Sequence, residues 1–472
     1  MRKEHRDFLK YEDDYIDLSD FFTGERRVKE KEERYTPRLE GHTGKEGLYT
    51  QYVNFGILYN ALSRTRQGLK GAILRKPIDI QFPETKKEAL DYIMPDGSSF
   101  KDLARLTCDD VLGYGRCGVL VDISPEEKPY AAFYNSLSIL SWPSSFNFSM
   151  SFGKDINQEI ILQEFVEIPD PEDMEKTKLI EQRRKLEIDP AGYYAVSVYR
   201  KVDKNNDAWQ LHEAPRYPTY KGKKLNFIPF VFFGSSSNIP SPSRPPLLDL
   251  LNLLKGHWRL TVAYQYGLHF AGLPTPCFAG FDFEAGAKVP LGPGAAYHTS
   301  EPNAKSWFLQ TGGEGLASME RGLDRLEKQM AVVGARLLEE QRPGVEAAET
   351  VRLRSSGDSA TLADIAGNVE RGLTEVLQYI GFWLGIAEKE CVVGVNKDFV
   401  STRLGPQEIT ALLQAVQAGQ MSSETFIWNL VQGEALSPGR TIEDEQEAIA
   451  EDKLITQRNN KNLADIGNQF LT

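Results

Sequence analysis

Cysteine and histidine are scarce in this chain, at four and six among 472 residues. The cysteines, Cys108, Cys117, Cys277 and Cys391, form no CxxC pair, which excludes a disulfide scaffold and suits a reducing, intracellular setting. The histidines (His5, His42, His212, His257, His269, His298) are scattered, and no HExxH or Cys/His cluster supplies a metal with ligands. Long hydrophobic runs are missing too. No stretch approaches 18 apolar residues, the richest short run being Ile228 to Phe233, and the charged start Met1-Arg2-Lys3-Glu4-His5 has no apolar stretch behind it. Neither a membrane span nor secretion is therefore expected. Positive charge is in deficit: 55 Lys and Arg against 67 Asp and Glu give a net charge of -12. That balance excludes tight, counterion-releasing adhesion to phosphates as the main task while leaving room for weak contact.

Catalytic signatures are equally thin. There is no GxxxxGK[ST] phosphate loop and no GxSxG nucleophile elbow. Gly113-Tyr114-Gly115-Arg116-Cys117-Gly118 matches GxGxxG, but a dinucleotide site needs a strand before the glycines and a helix after them. Here a helical pattern precedes and the strand-like Val119-Leu120-Val121 follows, so the glycines read as a tight helix-to-strand turn. No catalytic residue, cofactor or metal site is expected, and no pair of carboxylates can be assigned acid and base roles.

What is present is 41% hydrophobic and 26% charged residues, enough apolar chain for a folded protein of several regions. The first forty residues are dense in both charge signs, notably Glu25 to Arg34, and predict an arm or exposed helix. Apolar residues from Leu48 to Leu74 recur at helical spacing as one helix stopped by Pro77, and a second helix is predicted from Ser99 to Leu112. Strands are predicted around Ala131 to Trp142, Ile160 to Ile168 and Tyr193 to Val202, making the first 233 residues mixed α+β.

A Gly/Ser/Pro-rich loop, Gly234 to Pro246, then leads into a long apolar helix from Leu247 to about Gly272. Leu273-Pro274-Thr275-Pro276 breaks it, and the following residues to Thr311, dense in Gly and Pro, allow only short strands and turns. Next comes the clearest periodicity in the chain. Leu316, Met319, Leu323, Leu326, Met330, Val333 and Leu337 alternate steps of three and four, a narrow seam between charged flanks. Glu339-Glu340-Gln341-Arg342-Pro343-Gly344-Val345-Glu346 interrupts the helix, and another amphipathic helix runs from about Ser359 to Leu384. An apolar run from Cys391 to Val395 precedes a helical tail, Gly405 to Thr472, in which ten acids stand against four bases.

Several pieces recur in a familiar order: Leu58-Tyr59-Asn60-Ala61 with Leu74-Arg75-Lys76-Pro77; Tyr114 to Asp122; Ile228-Pro229-Phe230-Val231 ahead of Pro246 to Leu250; Gly267-Leu268-His269-Phe270 with Leu273 to Pro276; and Gln329-Met330-Ala331 with Gly334 to Leu338. Together, over about Tyr35 to Leu384, they resemble a family of tailed-bacteriophage portal proteins long catalogued under a domain of unknown function. The resemblance implies a non-enzymatic ring, usually of twelve subunits, at one capsid vertex. Double-stranded DNA would be packaged and ejected through it without sequence specificity, and terminase, capsid or scaffold protein and a head-tail adaptor would dock on it. It also implies an origin in the host cytoplasm and a final place in the virion. Carried onto this chain, residues 1–245 would be a wing, 246–272 and 312–338 two stem helices and 273–311 a clip. Residues 339–350 would be a tunnel loop in the DNA channel, 351–404 a tunnel helix returning to the wing, and 405–472 a helical crown. The seam from Leu316 to Leu337 would then pack subunits together. The alternatives are a ring-forming head-tail adaptor or scaffold that does not itself form the vertex, and an enzyme with an unrecognised site.

Overall fold

The computed structural model describes residues 4–124, 126–143, 158–170, 173–203, 206–272, 275–281, 298–309, 314–338, 348–397, 399, 406–432, 435–436 and 442–452. The chain divides into two units, Met1–Lys397 and Asp398–Thr472. Both α-helices and β-sheets are extensive, so the α+β expectation holds.

In the first unit α1 (Arg6–Thr23) and the short α2 (Glu25–Glu30) open the chain. The expected arm is instead part of the core: Phe8, Tyr15, Leu18 and Phe21 are at most 2% exposed. Its charges are absorbed locally, because the one Tyr35 hydroxyl proton is shared between Asp17 Oδ1 at 2.9 Å and Asp20 Oδ2 at 2.7 Å, and Arg34 Nε reaches Asp17 at 2.6 Å. A mixed-charge sequence thus conceals an apolar helix face whose acids are paired rather than solvated. The single helix expected from Leu48 to Leu74 is two, α3 (Glu46–Asn54) and α4 (Ala61–Ile73). Gly56 lies in the break, and the Asn60 side chain caps α4 by accepting from Ser63 N at 3.3 Å.

After β1 (Asp79–Gln81), helix α5 (Phe100–Tyr114) begins at a reciprocal box between Ser99 and Asp102 and ends on Gly115, whose φ of 76° is left-handed. The chain then turns directly into β2 (Arg116–Ile123), so the GxGxxG stretch is the expected helix-to-strand turn. Next follow β3 (Pro129–Asn135), β4 (Ile139–Ser141), β5 (Glu159–Asp170), β6 (Asp173–Ile188), β7 (Tyr194–Asp203), β8 (Asn206–Arg216), the two-residue pair β9 (Thr219–Tyr220) and β10 (Lys223–Lys224), and β11 (Phe230–Gly234). Strands β4 to β8 form an antiparallel meander, whereas β2 sits between β11 and β3 in a buried three-stranded sheet. Strands β6 and β8 lie in stretches the sequence reading left unassigned. The charges of β6 are matched across the ladder, Arg184 to Glu164 at 2.7 Å and Lys201 to Glu181 at 3.3 Å, so pairing partners override composition.

Helix α6 (Leu248–Gly272) follows, then β12 (Thr275–Ala279) and β13 (Lys305–Leu309), α7 (Glu314–Leu338) and α8 (Ala348–Leu384). The inner face of α8, from Leu362 to Ile380, covers the three-stranded sheet. A Cβ on Gly372 would come within 2.3 Å of Phe233 on β11. Strand β14 (Val392–Gly394) pairs antiparallel with β1 and closes the unit. The second unit contains α9 (Pro406–Gln417), a turn at Gly419, α10 (Ser423–Gln432) and helical residues 442–452.

Candidate functional site

Helices α6 and α7 each span 25 residues, about 37 Å at 1.5 Å per residue. Gly267 of α6 faces Leu316 of α7, Leu260 faces Gly322, and His257 Nε2 lies 3.3 Å from Glu327 Oε1. The α6 numbers fall as the α7 numbers rise, so the pair is antiparallel. At two of these contacts a glycine sits under a leucine methyl of the facing helix. A Cβ on Gly267 would stand 2.8 Å from Leu316 Cδ2, and one on Gly322 would stand 2.9 Å from Leu260 Cδ2. The missing side chains let leucines from the facing helix sink toward the backbone, which shortens the interhelical distance.

The predicted seam faces this interior in part. Met330 is 2% exposed, while Leu316, Met319, Leu323, Leu326 and Val333 are half-buried. Part of the stripe is therefore consumed within the chain, against α6 and against α4, where Gly334 approaches Thr65. The Leu337 side chain and the loop positions Glu339, Glu340, Gln341, Arg342, Pro343, Gly344, Val345 and Glu346 lie outside the described residues. Sequence reasoning reached Gly267 only within a piece of the family resemblance and His257 only among scattered histidines; it passed over Gly322, the packing of both glycines and the His257–Glu327 contact. The signal for the two glycines was a small residue on each long helix at a position facing its partner.

At one end of the pair, α6 runs into β12, which is paired with β13 in register from Thr275↔Leu309 to Ala279↔Lys305. Trp307 and Phe308 on β13 are 50% and 63% exposed, and Phe270 near the end of α6 is 48% exposed. Two bulky aromatics on this strand pair and one near the end of α6 offer a surface that a partner can cover. Toward the other end, Lys255 of α6 pairs with Asp17 of α1, and Trp258 Nε1 donates to Thr36 Oγ1 at 2.9 Å. Helix α6 is thus tied to α1 and to the segment before α3 by this ion pair and buried indole, and Arg259 Nε donates to Tyr35 O at 3.2 Å.

The strongly perturbed groups lie in the body of the fold. Burial, with Asp109 adding repulsion and Arg66 opposing it, pushes the Asp110 carboxyl up to about 7, and its enclosed Oδ2 has no hydrogen-bond partner among the described residues. Burial likewise raises Glu375 to about 7, against a weak 3.4 Å bond from Tyr379. Arg116 is fully buried on β2, sandwiched by Trp142 and Phe232 with ring distances of 3.7 and 5.4 Å, and burial lowers it to about 10. Its guanidinium nitrogens have no hydrogen-bond partner among the described residues. Among the described residues no group of three or more His, Cys, Asp or Glu could hold a metal, and no helix is long and apolar enough to cross a membrane.

The helix pair also lies in the stretch of sequence that matches a family model. Residues 246–384 match the family described as Domain of unknown function (DUF4055). This stretch takes in α6, the β12–β13 pair, α7 and α8, the later of the sequence pieces noted above; the earlier ones, from Leu58 to Val231, fall outside it. No curated protein matches the sequence. Among solved structures the fold is similar to a chain in the virion of a native gene transfer agent particle, with 12% identity, 82% of this chain and 93% of that chain covered, and a TM-score of 0.38. It is similar as well to one in the neck of the empty particle computed with C6 symmetry (12%, 79% and 90%, 0.39). A third is in the neck of the native particle computed with C12 symmetry (11%, 82% and 93%, 0.36).

Proposed function

We propose that this protein is a structural ring subunit of a virion, a portal through which double-stranded DNA passes during packaging and ejection. The observation that carries the reading is the antiparallel α6–α7 pair, packed closely at Gly267 and Gly322 and followed at the end of α6 by the β12–β13 strand pair, within the stretch that matches the family model. An antiparallel helix pair anchored at one end and bearing exposed aromatics at the other suits a channel wall with a docking platform at its tip. In this reading α6 and α7 are the stem, and β12–β13 is the clip on which terminase and a head-tail adaptor dock through Trp307 and Phe308.

Charge supports the same role. A net charge of -12 keeps phosphates from adhering to a wall they must slide past. The second unit suits a crown: α9 buries no residue of its own, and Leu413 and Trp428 are 44% and 49% exposed, leaving apolar surface for neighbouring copies. The protein acts structurally, without catalysis. Mass measurement together with an image of the purified particle tests the reading. The expected result is a ring near twelve times 53.1 kDa with a central hole. A stable monomer or dimer at all concentrations would overturn it.

A further inference from the structure

One stripe of α7 faces away from the stem interior. Arg321, Arg325, Lys328 and Val332 recur at four, three and four residues, all exposed. Together with Leu253 and Val333 they line a cleft of about 700 Å³. Arg325 and Lys328 have no ion-pair partner among the described residues, and Arg321 donates to Ser318 Oγ at 3.1 Å. The cleft therefore has an apolar floor and a basic wall, with Asp324 as its one acid.

The complementary pattern stands on α1. Leu9, Glu12, Asp13 and Ile16 recur at three, one and three, which sets them on one face. Leu9 is 55% exposed, the Asp13 side chain is 88% exposed, and Glu12 and Ile16 are half-exposed. Asp13 is held by Arg34 at 3.0 Å, while the Glu12 carboxyl is pushed up by partial burial and by repulsion from Glu4 and Asp13, a penalty that a basic partner would relieve.

The two faces belong to opposite flanks of α6. Lys255 points to Asp17 on α1, whereas His257 and Leu260 meet α7. At about 100° per residue, Lys255 stands roughly 200° from His257 and roughly 140° from Leu260 round the helix. Helix α4, which touches α1, α6 and α7, lies between the flanks. An acidic, partly apolar ridge on one flank and a basic, apolar-floored cleft on the other cannot meet within one molecule. They are complementary between two copies placed side by side, and a contact of that kind repeats head to tail and closes a ring.

We infer that the Leu9–Glu12–Asp13–Ile16 face of α1 in one copy seats in the Arg321–Arg325–Lys328 cleft of α7 in the next. This rests on the ring reading and names the contact that would build it. The apolar floor and Asp324 favour a protein surface over a polyanion.

Charge swapping tests it, with sedimentation as the readout. Glu12→Arg with Asp13→Arg, or Arg325→Glu with Lys328→Glu, should raise the concentration for half-assembly by about tenfold or more, and combining both sets should restore it to within about threefold. The neutral versions Glu12→Gln with Asp13→Asn should shift it the same way by less, which covers a reversed variant that fails to fold. In a Cys277→Ser background, Asp13→Cys with Arg325→Cys should form disulfide-linked multimers on oxidation. If rings persist unchanged through the reversals, or the combination fails to rescue, this contact is wrong while the ring reading stands. If the wild-type chain never assembles, both fall. Loss of binding to a DNA duplex on Arg325→Glu with Lys328→Glu, with no effect of the α1 changes, would assign the cleft to nucleic acid and overturn the proposal.

Discussion

Gly56 and Trp258 compete for the same space: a Cβ on Gly56 would stand 2.3 Å from the indole Cη2. The indole cannot swing aside without breaking the bond from its Nε1 to Thr36 Oγ1, which joins α6 to the segment before α3. Gly56→Ala should therefore cost about 1–3 kcal/mol as an overpacked core. Chemical denaturation would measure it, and an unchanged midpoint would show that the indole relaxes freely. Trp258→Phe keeps most of the ring but removes the donor; its partner Thr36 is left enclosed, at a cost of about 1–3 kcal/mol.

Asp110 and Glu375 set a pH dependence of stability. Both carboxyls are raised in the folded state, so the native protein binds more protons than the unfolded chain between the ordinary carboxylate range and about 7. Their contribution is least unfavourable below about 4 and becomes fully destabilising above about 7. Asp110→Asn and Glu375→Gln should accordingly raise the melting temperature at pH 8 and lose that gain near pH 4.5, each worth about 1–3 kcal/mol at the alkaline end. A gain equal at both pH values would mean that packing rather than charge is responsible.

Much of the α6–α7 pair was legible in the sequence because its signals are long and periodic. The α6 and α7 boundaries at Leu248, Gly272 and Leu338 stand within a residue or two of those read from the apolar spacing, and Gly115 ends α5 as the turn chemistry predicts. What escaped depends on partners distant in sequence. Asp17 and Asp20 read as solvent-facing acids until Tyr35, Arg34 and Lys255 are brought to them, and β6 carries helix-favouring Glu, Lys and Arg whose partners are on β5 and β7. Gly267 and Gly322 carry no meaning singly; each acquires one only when a leucine of the opposite helix is placed over it.

The seam of α7 now separates folding from assembly. Met330 is enclosed within the chain, so Met330→Asp should leave a buried unpaired charge and abolish soluble protein, at several kcal/mol. Leu323 is half-buried, so Leu323→Asp should cost the fold less and the ring more if the uncovered part of the stripe packs on a neighbour. The expected outcome is a folded subunit, checked by circular dichroism, that sediments as a monomer. Normal rings from Leu323→Asp would confine the seam to the interior of one chain.

The acidic stretch of the second unit yields the last prediction. Within helical residues 442–452, Glu443, Asp444, Glu447, Glu451 and Asp452 are exposed and Glu445 is half-buried. Under the portal reading this helix belongs to a crown facing packaged DNA, where repeated acids round a ring would repel the duplex and keep it from adhering. Exposed charges act over about 8 Å at physiological ionic strength, so the effect should come from the whole collar rather than from any single carboxylate. Replacing Glu443, Glu447 and Glu451 with lysine should leave ring mass unchanged, because these side chains point to solvent, but should retain DNA and slow its packaging and ejection. Lowering the salt should sharpen the defect and raising it should relieve it, since added counterions weaken phosphate contacts. Packaging at the wild-type rate in low salt would reduce the acids to an ordinary solvated helix face.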